Sequence, residues 1–172
     1  MPEHTTIPSD TPVIRLKDID ITELSSLLNK YQLQLTLIAE DQEIPGSFWG
    51  DEEAGLIHNQ VYARTDTPVH SVLHESCHYI CMDTQRRLQL HTNAGGNADE
   101  ENAVCYLQVL LADELSFMGR SAMMRDMDSW GYNFRLGSCH AWFEHDTRDE
   151  QQWLLNKQLI LANNTPSFLL RQ

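Results

Sequence analysis

The chain has 172 residues, of which 12 are Lys or Arg and 25 are Asp or Glu, giving a formal net charge of −13 at neutral pH. Hydrophobic residues make up 41% and charged residues 22%, which is typical of a globular protein, and the length suits one compact domain rather than two. Nucleic acids and anionic membrane surfaces are disfavoured as partners because binding them requires clustered positive charge.

The N-terminal segment is polar and rich in proline. We predict a disordered tail over residues 1–12 and a single domain over residues 13–172. The N-terminus lacks the basic and apolar regions of a secretory signal, and no stretch approaches the roughly 18 apolar residues that a membrane-spanning helix needs. The cysteines form no CxxC pair, which indicates reduced thiols. A cytoplasmic protein without a membrane segment is expected.

A helix, a strand and a hairpin are predicted in the first part of the chain. Apolar residues at helical spacing predict an amphipathic helix over residues 20–31. Alternating apolar and polar residues over 33–39 predict a strand, and Pro and Gly residues over 40–53 predict a loop. Two short apolar runs, 55–58 and 61–64, predict a β-hairpin.

A long central helix is predicted over residues 68–87. Thr67 is a suitable N-cap, and Pro68 suits the first helical position because its missing N–H would have no helical partner there. A glycine-containing loop follows, and Asn97 or Asp99 can cap the next helix.

The C-terminal part is predicted to be helical. Apolar residues on one face predict a helix over 99–115, and a further helix is predicted to end near residue 128, before a turn at Gly131. Two short helices follow, with Ser138 and Thr147 as candidate caps. The predicted fold class is therefore α+β. A small antiparallel sheet, made of the strand and the hairpin, packs on the central helix and on the helix after it.

The central helix contains the HExxH motif His74-Glu75-Ser76-Cys77-His78. Residues four positions apart lie on the same face of a helix, so the two imidazoles can converge on one zinc ion at about 2.0–2.1 Å. Glu75 is rotated by about 100° from His74 and flanks the ligands instead of joining them. It is therefore the candidate general base that takes a proton from a metal-activated water.

A catalytic zinc usually has three protein ligands and one open position. The candidates for the third ligand are His91, which lies beyond the helix, and Glu100 and Glu101, which begin the next helix. Glu100 shares a helix face with the apolar residues that must pack against the domain, whereas Glu101 lies on a more mixed face. A buried carboxylate is costly unless a cation neutralises it, so we predict Glu100 as the ligand and keep Glu101 as the alternative.

The segment HESCH followed by EENAVCYLQVLL resembles the HExxH…ExxA arrangement of gluzincin-type zinc peptidases, and in particular the minimal ImmA/IrrE-like metallopeptidases. The resemblance covers about residues 20–115. It implies that the second helix supplies the third zinc ligand from the segment Glu100-Glu101-Asn102-Ala103. It also implies that a peptide substrate lies extended along the hairpin GLIHNQVYART.

The supporting residues of such a site are harder to identify from the sequence. No side chain stands out as a hydrogen-bond partner for the ligand histidines. Tyr132, His140 and His145 are candidates for stabilising an oxyanion, but a structural role is expected for each. His70, one turn before His74, is a candidate for a contact with substrate.

These features predict a zinc-dependent hydrolase, most simply a peptidase, in which His74, His78 and Glu100 bind Zn²⁺ and Glu75 is catalytic. The expected partner is a peptide or protein substrate, and the oligomeric state is open. The alternative is a non-catalytic, zinc-stabilised domain that binds a partner or senses zinc or redox state.

Overall fold

Residues 12–172 are described in a computed structural model of the protein. Over this range the chain forms seven α-helices and one three-stranded sheet, so the predicted α+β class is confirmed. Residues 1–11, for which disorder is predicted, lie outside the described residues. In the described part of the chain, no helix is both long enough and apolar enough to cross a membrane.

Seven α-helices form along the described part of the chain, with the three strands between the first and the second. The helices are α1 Ile21–Asn29, α2 Val69–Cys81, α3 Thr84–Leu88, α4 Ala98–Ala112, α5 Gly119–Trp130, α6 Cys139–His145 and α7 Arg148–Asn156.

The sheet consists of β1 (Gln34–Leu37), β2 (Gly55–Ile57) and β3 (Gln60–Ala63), in the order β1-β3-β2. The hairpin β2-β3 is antiparallel, as predicted, but β1 is parallel to β3, so the prediction of an antiparallel sheet is wrong for β1. Residues 38–54 lead from one edge of the sheet to the other, and β2, which is antiparallel to both other strands, then returns the chain to the end at which β3 can start parallel to β1.

Helix α2 lies at the centre of the fold, and every one of its residues is buried. One side of the helix packs against β2 and β3, and the other packs against α4 and α5. A helix covered on all sides has no solvent-facing stripe. Its polar residues must therefore find partners inside the protein.

The predicted helix over residues 68–87 is two helices, α2 and α3. The backbone is extended at Met82, and Asp83 then caps α3 by accepting a hydrogen bond from the Arg86 amide (2.9 Å). The residue that was expected to lie inside one helix is thus the cap of a second one.

Most of the other predicted helix ends are confirmed. Asn97 caps α4 by accepting a hydrogen bond from the amide of Glu100 (3.0 Å), and Ser138 caps α6 in the same way (3.1 Å). Gly131 ends α5 with a φ of 99°, a conformation that favours glycine. Thr147 is the N-cap residue of α7, as predicted, but its side chain makes no capping hydrogen bond, because its hydroxyl donates back to the carbonyl of Phe143 (2.7 Å).

Candidate metal centre

Helices α2 and α4 lie side by side, and each contributes polar side chains to one buried cluster. His74 and His78 project from successive turns of α2, and Glu101 faces them from the first turn of α4. All three are buried, with exposed fractions of 4%, 1% and 8%. One ligand atom from each lies within 4.8 Å of the other two.

The distances within the cluster suit a small cation. The Nε2 atoms of His74 and His78 are 3.2 Å apart, and Nε2 of His78 is 3.4 Å from Oε2 of Glu101. Two ligands that bind a tetrahedral zinc at about 2.0–2.1 Å are about 3.3–3.4 Å apart. Both distances match this separation, and an imidazole pair with a carboxylate is a donor set that zinc accepts.

Gln108 fixes the orientation and the tautomer of His74. Its Nε2 donates to the backbone carbonyl of His70 (2.9 Å), which can only accept, so its Oε1 faces Nδ1 of His74 (2.9 Å). Nδ1 must then carry the proton and donate it to Gln108. The lone pair of His74 is therefore on Nε2, which points into the cluster, as a metal ligand requires.

The structure brings Glu101, and not the predicted Glu100, to the two histidines. Glu100 is buried, as predicted, but its carboxylate accepts hydrogen bonds from Arg86 (2.8 and 2.7 Å) and from Arg171 (2.9 Å). The guanidinium groups of Arg86 and Arg171, and not a metal ion, thus neutralise the buried charge of Glu100. The next residue, rotated by about 100° around the helix, is Glu101, which meets the histidines.

Burial disfavours charge at the cluster. It raises the pKa of Glu101 to about 7 and, together with the neighbouring His74, holds the pKa of His78 well below its usual range. Both shifts have the same origin, the loss of hydration of an ionised group in a dry environment. A bound cation would stabilise the imidazole nitrogen atoms and the carboxylate that converge at this cluster.

Glu75 lies beside the cluster and not within it. Burial raises the pKa of its carboxyl well above the usual range, and the nearby carboxylates of Glu53 and Glu101 raise it further. Together with His78 and Glu101, Glu75 lines a cavity of about 20 Å³. A cavity of this size holds about one water molecule. Glu75 therefore has the position of a group that exchanges a proton with a small molecule at the cluster.

Two loop segments cover this cavity and form its roof. One is residues 44–48, of which Phe48 lines the cavity. The other is residues 90–95, which we call the strap, and its members from Thr92 to Gly95 complete the cavity wall. Phe48 and the strap therefore lie against the same small space as Glu75 and Glu101.

Three further candidates from the sequence lie outside the cluster. His91 is exposed, and its Nδ1 is 2.8 Å from the hydroxyl of Thr92. The phenol oxygen of Tyr132 is 3.2 Å from Nδ1 of His70, and the ring of Tyr132 stands edge-on to that of His74, with centroids 5.5 Å apart. Tyr132 and His70 therefore support His74 from behind, on the side of Gln108.

Sequence reasoning missed two groups that shape the site. Gln108 lies seven residues after Glu101, two turns along the same face of α4, and this spacing is a signal that the sequence offered. Arg86 lies fourteen residues before Glu100, in another helix. No local pattern predicts that contact.

No protein-family model matches the chain, and neither the curated proteins nor the solved structures provide a significant match.

Proposed function

We propose that the protein is a zinc-dependent hydrolase whose metal ligands are His74, His78 and Glu101. The observation that carries this proposal is the convergence of three buried ligand atoms at separations that suit tetrahedral zinc. When bound, zinc would polarise a substrate carbonyl and lower the pKa of a water molecule in the fourth position.

The residues of the chain have distinct roles in this proposal. Gln108 holds His74 in the tautomer that presents Nε2 to the cluster. Glu75, which lines the same cavity, accepts a proton from the attacking water and returns it to the leaving group. Burial raises the pKa of its carboxyl, which makes Glu75 a stronger base than an exposed glutamate. Once protonated, the same carboxyl can return the proton to the leaving group.

A peptide is the proposed substrate, and a gluzincin-type peptidase is the proposed class. The support is the order of the elements: a hairpin, then the HExxH helix, then a helix that offers a glutamate. The resemblance places the ligand glutamate at the first position of the ExxA segment, which is Glu100 in this chain. The glutamate that faces the histidines is Glu101, the second residue of that segment. The cytoplasm is the proposed location, supported by four cysteines that are all free and buried.

The test combines metal analysis with a matched pair of variants. We expect the purified protein to bind one zinc per chain and to cleave members of a fluorogenic peptide library, and a chelator should abolish cleavage. Glu75→Gln should keep the zinc and lose about 10²–10⁴-fold in kcat/KM, the usual contribution of general acid–base catalysis. Glu144→Gln makes the same chemical change at an exposed position on α6 and should leave activity unchanged. Full hydrolysis by Glu75→Gln would overturn the mechanism.

The covered site favours a second function, that of a non-catalytic domain stabilised by zinc. A cavity of about 20 Å³ has room for about one water molecule. In that case zinc should raise the melting temperature strongly, since its ligands join two helices. No member of the peptide library should be cleaved, and no peptide should bind to the zinc-loaded protein.

A further inference from the structure

The strap pairs with the outer edge of β2 as an added strand would. The amide of Thr92 donates to the carbonyl of Leu56 (2.9 Å), and the amide of His58 donates to the carbonyl of Leu90 (3.1 Å). His91 is thereby the antiparallel partner of Ile57. These are the backbone groups that an extended polypeptide would use to join this edge of the sheet.

The same segment crosses the cavity at the cluster. Thr92 is bonded to β2, while its successors up to Gly95 line the cavity together with Glu75 and Glu101. Strand pairing and coverage of the site are thus performed by the six consecutive residues 90–95. An extended chain laid along β2 in place of the strap would follow the same course past the ligands.

We propose that the strap is a built-in occupant of the substrate's main-chain site, and that an extended peptide displaces it. The peptide then accepts from the amide of His58 and donates to the carbonyl of Leu56, as the strap does in its absence. This proposal rests on the hydrolase function and adds its regulation: the site opens only for a chain that can replace the strand pairing of the strap.

The strap is held by few contacts, which makes the exchange feasible. Leu90 anchors the start of the strap in the core, whereas the residues from His91 to Gly95 are exposed or half-buried, so little apolar surface is released when these five residues leave. Thr92 has a φ of 67°, a left-handed conformation that is unfavourable for a residue with a Cβ. Apart from the pairing with β2, the main attachment is the guanidinium of Arg86, which donates to the carbonyl of Ala94 (2.7 Å).

The first experiment compares Thr92→Pro with Thr92→Ala. Proline has no amide hydrogen for Leu56 and cannot adopt a positive φ, whereas alanine keeps the amide and loses only the hydroxyl. We expect Thr92→Pro to raise the amide exchange rates of residue 91 and residues 93–95, measured by NMR, and to speed zinc release to EDTA by roughly tenfold, the effect of one backbone hydrogen bond and its neighbours. Thr92→Ala should stay within about twofold of the parent.

The second experiment leaves the strap unchanged. Glu75→Gln, loaded with zinc, is mixed with an excess of an unstructured peptide from the library, and amide exchange is followed by NMR. The amide of Thr92 should lose its protection while that of His58 keeps it, because the peptide replaces Thr92 as the donor to Leu56 and supplies a new acceptor for the amide of His58. A bound peptide that leaves Thr92 protected would overturn the proposal.

The outcomes separate this proposal from the function on which it rests. If the protein binds no zinc, the hydrolase function fails, and amide exchange in Thr92→Pro still reports whether the pairing with β2 holds the strap. If zinc binds and peptides are cleaved, but Thr92→Pro frees the strap without changing zinc release or cleavage, the strap does not control the site and the present proposal fails alone.

Discussion

The two sides of the candidate metal centre are built differently. The floor is made of α2 and α4, whose residues are almost all buried and whose polar groups are fixed by buried partners such as Gln108. The roof is made of residues 44–48 and the strap, which are largely exposed or half-buried and are attached to β2 mainly through backbone hydrogen bonds. The floor therefore has high local stability, and the roof has low local stability.

This difference in local stability suggests that the floor holds the metal ligands and that the roof controls access to them. Metal ligands must be held to within a few tenths of an ångström, which packed helices achieve. Access must change with the ligand, which weakly attached loops allow. Substitutions in the floor should accordingly change metal affinity, and substitutions in the roof should change rates of entry and release.

The largest effect is expected at the two neighbouring glutamates of the floor. Glu101→Gln should weaken zinc binding by more than about 100-fold, because the loss of groups that merely support a ligand already costs about 10–100-fold. Glu100→Gln should keep zinc affinity within a few-fold but lower the free energy of unfolding by about 1–3 kcal/mol, since Arg86 and Arg171 lose their anionic partner. Competition with a zinc indicator and urea denaturation measure the two quantities.

The pair of variants serves as its own control, because the same chemical change is made one residue apart. Unchanged zinc affinity in Glu101→Gln, combined with a loss in Glu100→Gln, would restore the assignment made from the sequence and would remove Glu101 from the floor.

A smaller effect is expected at Gln108. Gln108→Met loses the acceptor for Nδ1 of His74, so zinc affinity should fall by about 10–100-fold. Gln108→Glu keeps an acceptor there and should bind zinc more tightly than Gln108→Met. Both variants lose the donor to the carbonyl of His70, so the difference between them reports the acceptor for His74 together with the added negative charge of the glutamate. Equal affinities in an indicator titration would show that this contact does not support the ligand.

The smallest effect concerns Glu75 in the metal-free protein. Its folded-state pKa lies above the ordinary 4.5, so the carboxyl stabilises the fold when protonated, and that stability is lost as the pH rises through the folded-state pKa. Glu75→Gln should therefore be more stable than the parent near neutral pH, by about 1 kcal/mol. The gain should vanish below about pH 4, where the carboxyl is protonated in both states. Urea denaturation in EDTA at several pH values measures this difference, and a loss of stability at neutral pH would contradict it.

Local signals in the sequence predicted the elements of the floor well. Caps such as Asn97 and Ser138 act within three residues, so their pattern can be read directly. The break between α2 and α3 was missed because Asp83 lies in an unbroken run of helix-compatible residues. The parallel pairing of β1 with β3 was missed because it depends on the path of a long connection, which the sequence does not specify.

The site shows a similar division. The spacing of His74 and His78 sets their geometry, so the pair follows from the motif alone. Burial could not separate Glu100 from Glu101, since both are buried and the difference lies in their partners. Glu100 is neutralised from positions fourteen and seventy-one residues away. Such distant contacts leave no periodic trace in the sequence.

The attachment of the roof to β2 has a consequence for solubility. An unpaired strand edge is a template on which other chains can assemble into aggregates. At present the outward carbonyl of Leu56 is taken by the strap, and its amide donates to Gly46 in the other roof segment (3.2 Å). A chain locked in the open state would expose this edge to neighbouring chains in concentrated solution. A strap that leaves β2 only briefly therefore carries a lower risk of aggregation than a chain that lacks the strap.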